Sequence, residues 1–240
     1  LYMRLDKFLV EMETGTRSQV KQYIKKGMVT VNDIPAKSPD MKIDENQDII
    51  KYNNRQLTYS RYKYFLLNKP AGYVSATRDN VHPTVIDLLK GELTRDLFPV
   101  GRLDIDTEGL LIITNDGALS HRLLSPAHHI PKTYYAEIDG YVTSDVVDLF
   151  KKGVNIGDED LTLPAELHII KADKDMGKSS VELTITEGRF HQVKRMFQSV
   201  NMTVTFLRRI SMGSLNIDES LPVGSYRVLS DIELQRLQNC

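Results

Sequence analysis

Cysteine is nearly missing: the 240-residue chain has one, the final residue Cys240. An intrachain disulfide framework and a cysteine-based zinc site are both excluded, and the cytoplasm is the default expectation. No run of about 18 apolar residues occurs, so no membrane span is expected. The first residues, "LYMRLDKFLVEM", are amphipathic and mixed in charge, unlike a secretory signal. Internal repeats and low-complexity tracts are absent. Net charge is only −1 and 41% of residues are hydrophobic, an ordinary soluble globular composition. At roughly 150 residues per domain, the length suggests more than one.

Acidic residues are missing from two stretches. "GTRSQVKQYIKKGMVTV" (15–31) carries Arg17, Lys21, Lys25 and Lys26 without an acid, and 188–212 carries Arg189, Lys194, Arg195, Arg208 and Arg209 without one. Basic islands in a nearly neutral chain point to local contact with a polyanion. Within 3–60, Leu5, Phe8, Leu9 and Met12 fall at helical spacing. In a second helix after the "TGT" turn, Val20, Tyr23 and Ile24 form an apolar stripe. Arg17, Lys21 and Lys25 sit four apart on an adjoining face, and Gly27 suits the helix end. "MVTVND" and "DIIKY" read as strands, and the polar 53–62 stretch as a linker.

Beyond the linker, "YFLLN", "GLLIIT", "TYYAEI", "AELHIIKA", "VELTIT" and "VTFLRRI" read as strands. "TVIDLLK", "GALSHRLL", "SDVVDLFKKG", "FHQVKRMFQSV" and "SDIELQRLQ" read as helices, the last opened by a Ser230–Glu233 capping box. Single helices between strands, with several adjacent strand pairs, predict an α+β fold with a mixed or antiparallel sheet.

Three metal or phosphate readings fail. "GRLDIDTEGLLIITNDG" (101–117) begins like a calcium loop, but Asn115 stands where a bidentate glutamate is needed and a strand follows. "MGKSS" (176–180) resembles half a phosphate loop, but Ala172 replaces its first glycine and a strand follows again. His128 and His129 lack the spacing of a zinc site. Asp106 and Glu108 read as solvated turn acids. Asp104, beside Arg102 and ahead of an apolar strand, stands where loops build sites.

Four segments in order resemble the motifs of pseudouridine synthases: "LNKPAGYV" (67–74), "GRLDIDTEGLLIITNDG", "KTYYAEI" (132–138) and "EGRFHQVKRMF" (187–197). Residues 1–60 resemble the small S-four RNA-binding module often fused to them, and 61–240 would be the catalytic domain. "GRLDIDT", "SHRLLSPAHHIPKTY" and the last motif resemble the branch acting on 16S rRNA, although Glu108 stands where that branch carries threonine. The resemblance implies an isomerase that turns a specific uridine into pseudouridine without a cofactor or metal. It implies a monomer acting on 16S rRNA within a small-subunit assembly intermediate. The rivals are the same chemistry on 23S rRNA or tRNA, a nucleosidase or glycosidase, and a non-catalytic RNA-binding or ribosome-assembly factor.

The resemblance also implies roles. Asp104 would be the reacting carboxylate, attacking the sugar carbon or removing the 2′ proton. Lys194 would be its basic partner, and Tyr134, two residues after Lys132, would stack on the uracil. Arg102 would hold the flipped nucleotide or fill its gap. Lys69, Arg189 and Arg208 would contact RNA near the cleft, and Arg17, Lys21 and Lys25 would do so from the N-terminal module, reading phosphate and shape.

Overall fold

A computed structural model describes residues 2–45, 47–57, 62–92 and 94–240. The chain divides into two compact units, 1–61 with 91–93, and 62–90 with 94–240.

In the first unit, β1 (Tyr2–Arg4) leads into α1 (Leu5–Glu11) and α2 (Arg17–Lys25). Thr16 caps α2 through a reciprocal box with Gln19, satisfying backbone donors that a helix start leaves free. Strands β2 (Val29–Val31), β3 (Ile34–Pro35), β4 (Lys42–Asp44), β5 (Ile50–Tyr52) and β6 (Arg55–Leu57) follow. Leu5, Phe8, Leu9, Val20 and Ile24 bury against Val29, Ile43 and Ile50, as the helical spacing predicts. Part of the expected linker is a strand. Arg55–Leu57 pairs antiparallel with β5, because Asn53 and Asn54 both take positive φ and make a tight hairpin turn that asparagine tolerates. The expected linker's 58–61 lie outside the described residues.

The second unit runs β7 (Tyr64–Lys69), a 3-10 turn (Val85–Leu88), β8 (Phe98–Pro99), β9 (Glu108–Thr114) and α3 (Gly117–Leu124). It continues with β10 (Lys132–Asp139), α4 (Ser144–Lys152), β11 (Glu166–Asp173), β12 (Lys178–Ile185) and α5 (Gln192–Gln198). It ends with β13 (Thr203–Met212), β14 (Leu215–Asn216), β15 (Tyr226–Val228) and α6 (Asp231–Gln238). The sheet order is β11-β12-β10-β13-β9-β7-β15. Its described pairs are antiparallel except β13 with β9. The fold is α+β with a mixed sheet. "TVIDLLK" makes only the 3-10 turn, where Asp87 accepts from the Thr84 backbone.

Helices α4 and α5 cover one face of the sheet, where Phe150, Val193, Met196 and Phe197 pack with Tyr134, Ala136 and Leu207. A second core joins Leu66, Leu110 and Ile112 to α3 and α6. The parallel register sets Arg209 beside Gly109. Gly109 has φ +100, and a Cβ there would lie 2.3 Å from the Arg209 carbonyl oxygen. Only glycine allows this approach, which brings the start of β9, where the preceding loop joins it, against Arg208 and Arg209 of β13.

Candidate active site

That loop carries Asp104, and three groups from the end of β7 and the segment after it hold its backbone. Ser75 Oγ donates to the Leu103 carbonyl at 2.9 Å and accepts from the Leu103 N–H at 3.0 Å. The Gly72 N–H donates to the Ile105 carbonyl at 2.7 Å. Lys69, with no exposed surface, donates from Nζ to the carbonyls of Thr107 (2.8 Å), Pro70 (3.0 Å), Asp104 (3.1 Å) and Ile105 (3.4 Å). Burial pushes its pKa down to about 8, against the pull of Asp106, Glu108 and Asp104. The expectation that Lys69 contacts RNA is corrected: its ammonium is enclosed under the loop and bound to carbonyls.

The Asp104 carboxylate points at α5. Lys194 Nζ lies 3.0 Å from Asp104 Oδ2 and 2.6 Å from Asp106 Oδ1. His191 Nε2 lies 3.5 Å from Asp104 Oδ1. Burial opposes the charge on Lys194, but hydrogen bonds and attraction from Asp106 and Asp104 outweigh it and raise its pKa. Burial likewise acts to raise Asp106, and Lys194 more than compensates, leaving that carboxyl below its ordinary value. Asp106 is therefore more than a solvated turn acid, since it shares the lysine that faces Asp104. His191 escaped the sequence reading. It stands three residues before Lys194, but as the left-handed N-cap of α5 and not within its helical turns, so helical spacing does not account for its place and no local signal marked it.

Tyr134 is buried, in the cluster that holds Leu103 and Val193, the chain neighbours of Asp104 and Lys194. Arg102 is exposed in the Asp104 loop, with no hydrogen bond or ion pair among the described residues.

Two further expectations need correction. The Arg189 guanidinium is committed within the fold, donating to the Asp160 and Leu161 carbonyls at 2.8 and 2.7 Å and to Glu187 at 3.0 Å. Arg208 pairs in register with Tyr135, so it faces away from buried Tyr134. It lines a groove of about 690 Å³ with Glu108, Glu182 and Glu219, and its Nη2 lies 3.6 Å from Glu219. Acidic neighbours make that face a poor RNA surface. On the first unit, Arg17, Lys21 and Lys25 are exposed and make no hydrogen bond or ion pair among the described residues.

A loop carboxylate clasped by a lysine, beside a buried tyrosine, suits chemistry at a sugar carbon. Comparison with known proteins decides the family. The model of the RNA pseudouridylate synthase family matches residues 63–199. The chain belongs to the RNA pseudouridylate synthase family. The S4 domain model matches residues 3–49. An uncharacterized RNA pseudouridine synthase of Bacillus subtilis is 41% identical over 236 residues, covering 98% of both chains. The ribosomal small subunit pseudouridine synthase A of Escherichia coli K12 is 40% identical, over 97% of this chain and 98% of that one. A crystal structure of a pseudouridylate synthase superposes with TM-score 0.69 at 38% identity, covering 98% of this chain and 99% of that one. This pseudouridine synthase is thus an RNA-modifying isomerase with an S4 module at its N-terminal end.

Proposed function

We propose that the chain converts a specific uridine of 16S rRNA to pseudouridine, as a cytoplasmic monomer acting on a small-subunit assembly intermediate. The observation that carries the chemistry is the Asp104 carboxylate 3.0 Å from Lys194 Nζ, on a loop anchored from beneath by Lys69. The choice of 16S rRNA rests on the full-length likeness to small-subunit enzymes.

Asp104 acts on the ribose of the target nucleotide while the bond from C1′ to uracil N1 breaks. The base turns, C5 bonds to C1′, and the C5 proton is lost. Two routes fit a single ionised carboxylate: attack on C1′ or removal of the 2′ proton through a glycal. A deuterium isotope effect from C2′ separates them. Uracil departs as a delocalised anion, so a second acid is dispensable. Lys194 pairs with Asp104 and aims its carboxylate, and Tyr134 packs against the uracil.

Residues 1–60 are assigned to RNA reading and 61–240 to isomerisation. Arg17, Lys21 and Lys25 contact phosphates, and Arg102 serves the flipped nucleotide.

The test uses unmodified 16S rRNA, 23S rRNA and tRNA transcripts tritiated at uridine C5. Tritium release from the 16S transcript alone, without free uracil, is expected. Release from another RNA moves the target. Free uracil makes the chain a nucleosidase.

A further inference from the structure

Phe190 is 76% exposed, which a soluble surface gains nothing by. It is nonetheless held firmly. Its carbonyl accepts from Arg195 Nη1 at 3.0 Å, and the preceding Arg189 N–H donates to Gln192 Oε1 at 2.9 Å. His191 follows with φ +49, a left-handed conformation that persists in a non-glycine residue only where its surroundings fix it. That turn lays the imidazole on the phenyl ring, with centroids 3.8 Å apart and planes 18° apart. The other edge of the imidazole places Nε2 3.5 Å from Asp104 Oδ1. One face of Phe190 is therefore covered by His191 and the ring stands out in water, one stacking step from the carboxylate.

From this geometry we infer a base-stacking subsite. A nucleobase flanking the target uridine lies on the outer face of Phe190 and extends the Phe190–His191 stack. The inference rests on the reading of the chain as an RNA-modifying enzyme and deepens it by naming where the neighbouring nucleotide sits. The ligand is an unpaired base of single-stranded RNA, since a paired base offers no free face. Purines are favoured for their larger surface, with little hydrogen-bond discrimination, because every base has a π face. With the flanking base fixed, the strand cannot slide while the target uridine turns.

The test compares Phe190→Leu, Phe190→Ala and Phe190→Trp. Phe190 is mostly exposed, so none of these removes core packing. One readout is tritium release from 16S rRNA. The other is fluorescence of a short oligouridylate with one central 2-aminopurine, which is quenched on stacking. For Leu and Ala, KM is expected to rise about tenfold or more, with a smaller fall in kcat and loss of quenching. Trp should keep both. Leucine behaving as wild type in both readouts would overturn the subsite, because it keeps apolar area without a π face. A wild type that releases tritium yet never quenches the probe would overturn it too, while leaving the enzymatic reading intact. Ring-dependent quenching without tritium release from any RNA would support the subsite and sink the enzymatic reading.

Discussion

Replacing Lys69 by methionine, similar in length and apolar, separates loop positioning from bulk stability. Two opposing terms can be sized. With the folded pKa at about 8 against an ordinary 10.5, holding the ammonium charged near pH 7 costs at most about 3 kcal/mol. The four carbonyl acceptors, which favour the charged form, make that an upper end. Methionine removes this cost but leaves the Thr107 carbonyl, bound through a buried contact, without a donor, at about 1–3 kcal/mol. The other three contacts are only partly buried, so water can replace the ammonium there. The terms nearly cancel, and urea unfolding near pH 7 should shift by less than about 2 kcal/mol. The Asp104 turn nevertheless loses its anchor, and kcat at saturating RNA should fall at least about tenfold, since small displacements of a reacting group are expensive in rate. Between pH 8 and 10.5 the unfolded chain binds more protons at this lysine than the folded one, so its contribution to stability rises with pH and is lost as pH falls through 8. Lys132, pushed by burial and by Arg209 to about 8, titrates in the same window but is common to both proteins. The wild type should therefore gain up to about 3 kcal/mol on the variant from near pH 7 to above pH 10. Wild-type kcat in Lys69→Met, or a loss of more than about 4 kcal/mol near pH 7, would refute the reasoning.

Gly109→Ala should destabilise the second unit by at least about 3 kcal/mol, because φ +100 and a Cβ 2.3 Å from the Arg209 carbonyl cannot both be relieved; thermal unfolding checks it. Glu233→Gln should cost about 2 kcal/mol near pH 7. Arg227, through Nη1 and Nη2 at 2.9 and 2.7 Å, outweighs burial and holds the carboxyl at about 2; the figure is discounted for partial exposure. A lowered carboxyl pKa gives stability present above about 4.5 and lost as pH falls through about 2, so the gap between the two proteins should close across that range in acid unfolding. Arg17→Glu with Lys21→Glu should weaken RNA binding and flatten its salt dependence by roughly one to two units of slope; an unchanged slope would remove the phosphate contacts assigned to α2.

Where chemistry is local, the structure was legible in the sequence. The stripe of Leu5, Phe8 and Leu9 is the buried side of α1, and Ser230 with Glu233 is the capping box of α6. These depend on residues a turn apart. The motif segments also reach one place, since Asp104 and Lys194 meet although a helix–sheet unit separates them in the chain. Lys69 was misread because lysine is rarely buried, and nothing local distinguishes an ammonium bound to carbonyls from one in water. Only its position at the end of β7, a strand buried along nearly its whole length, hinted at it. Arg189 and Arg208 were misread for a related reason: charge density along the chain does not say which guanidinium is already bound to a loop or faces acids across a sheet. The strand inside the linker depended on two asparagines adopting positive φ, and a polar run alone leaves that choice open.

The central claim is that Asp104, and not the acid two residues on, reacts with the sugar. Both share Lys194, so exchanging each for asparagine removes one partner of the same ammonium. Tritium release from C5-labelled 16S rRNA should vanish in Asp104→Asn, while Asp106→Asn keeps at least about a tenth of wild-type kcat, the loss of an exposed ion pair being small. RNA binding should survive in both. Release by Asp104→Asn at a rate comparable to wild type, or its loss in Asp106→Asn alone, would contradict the account.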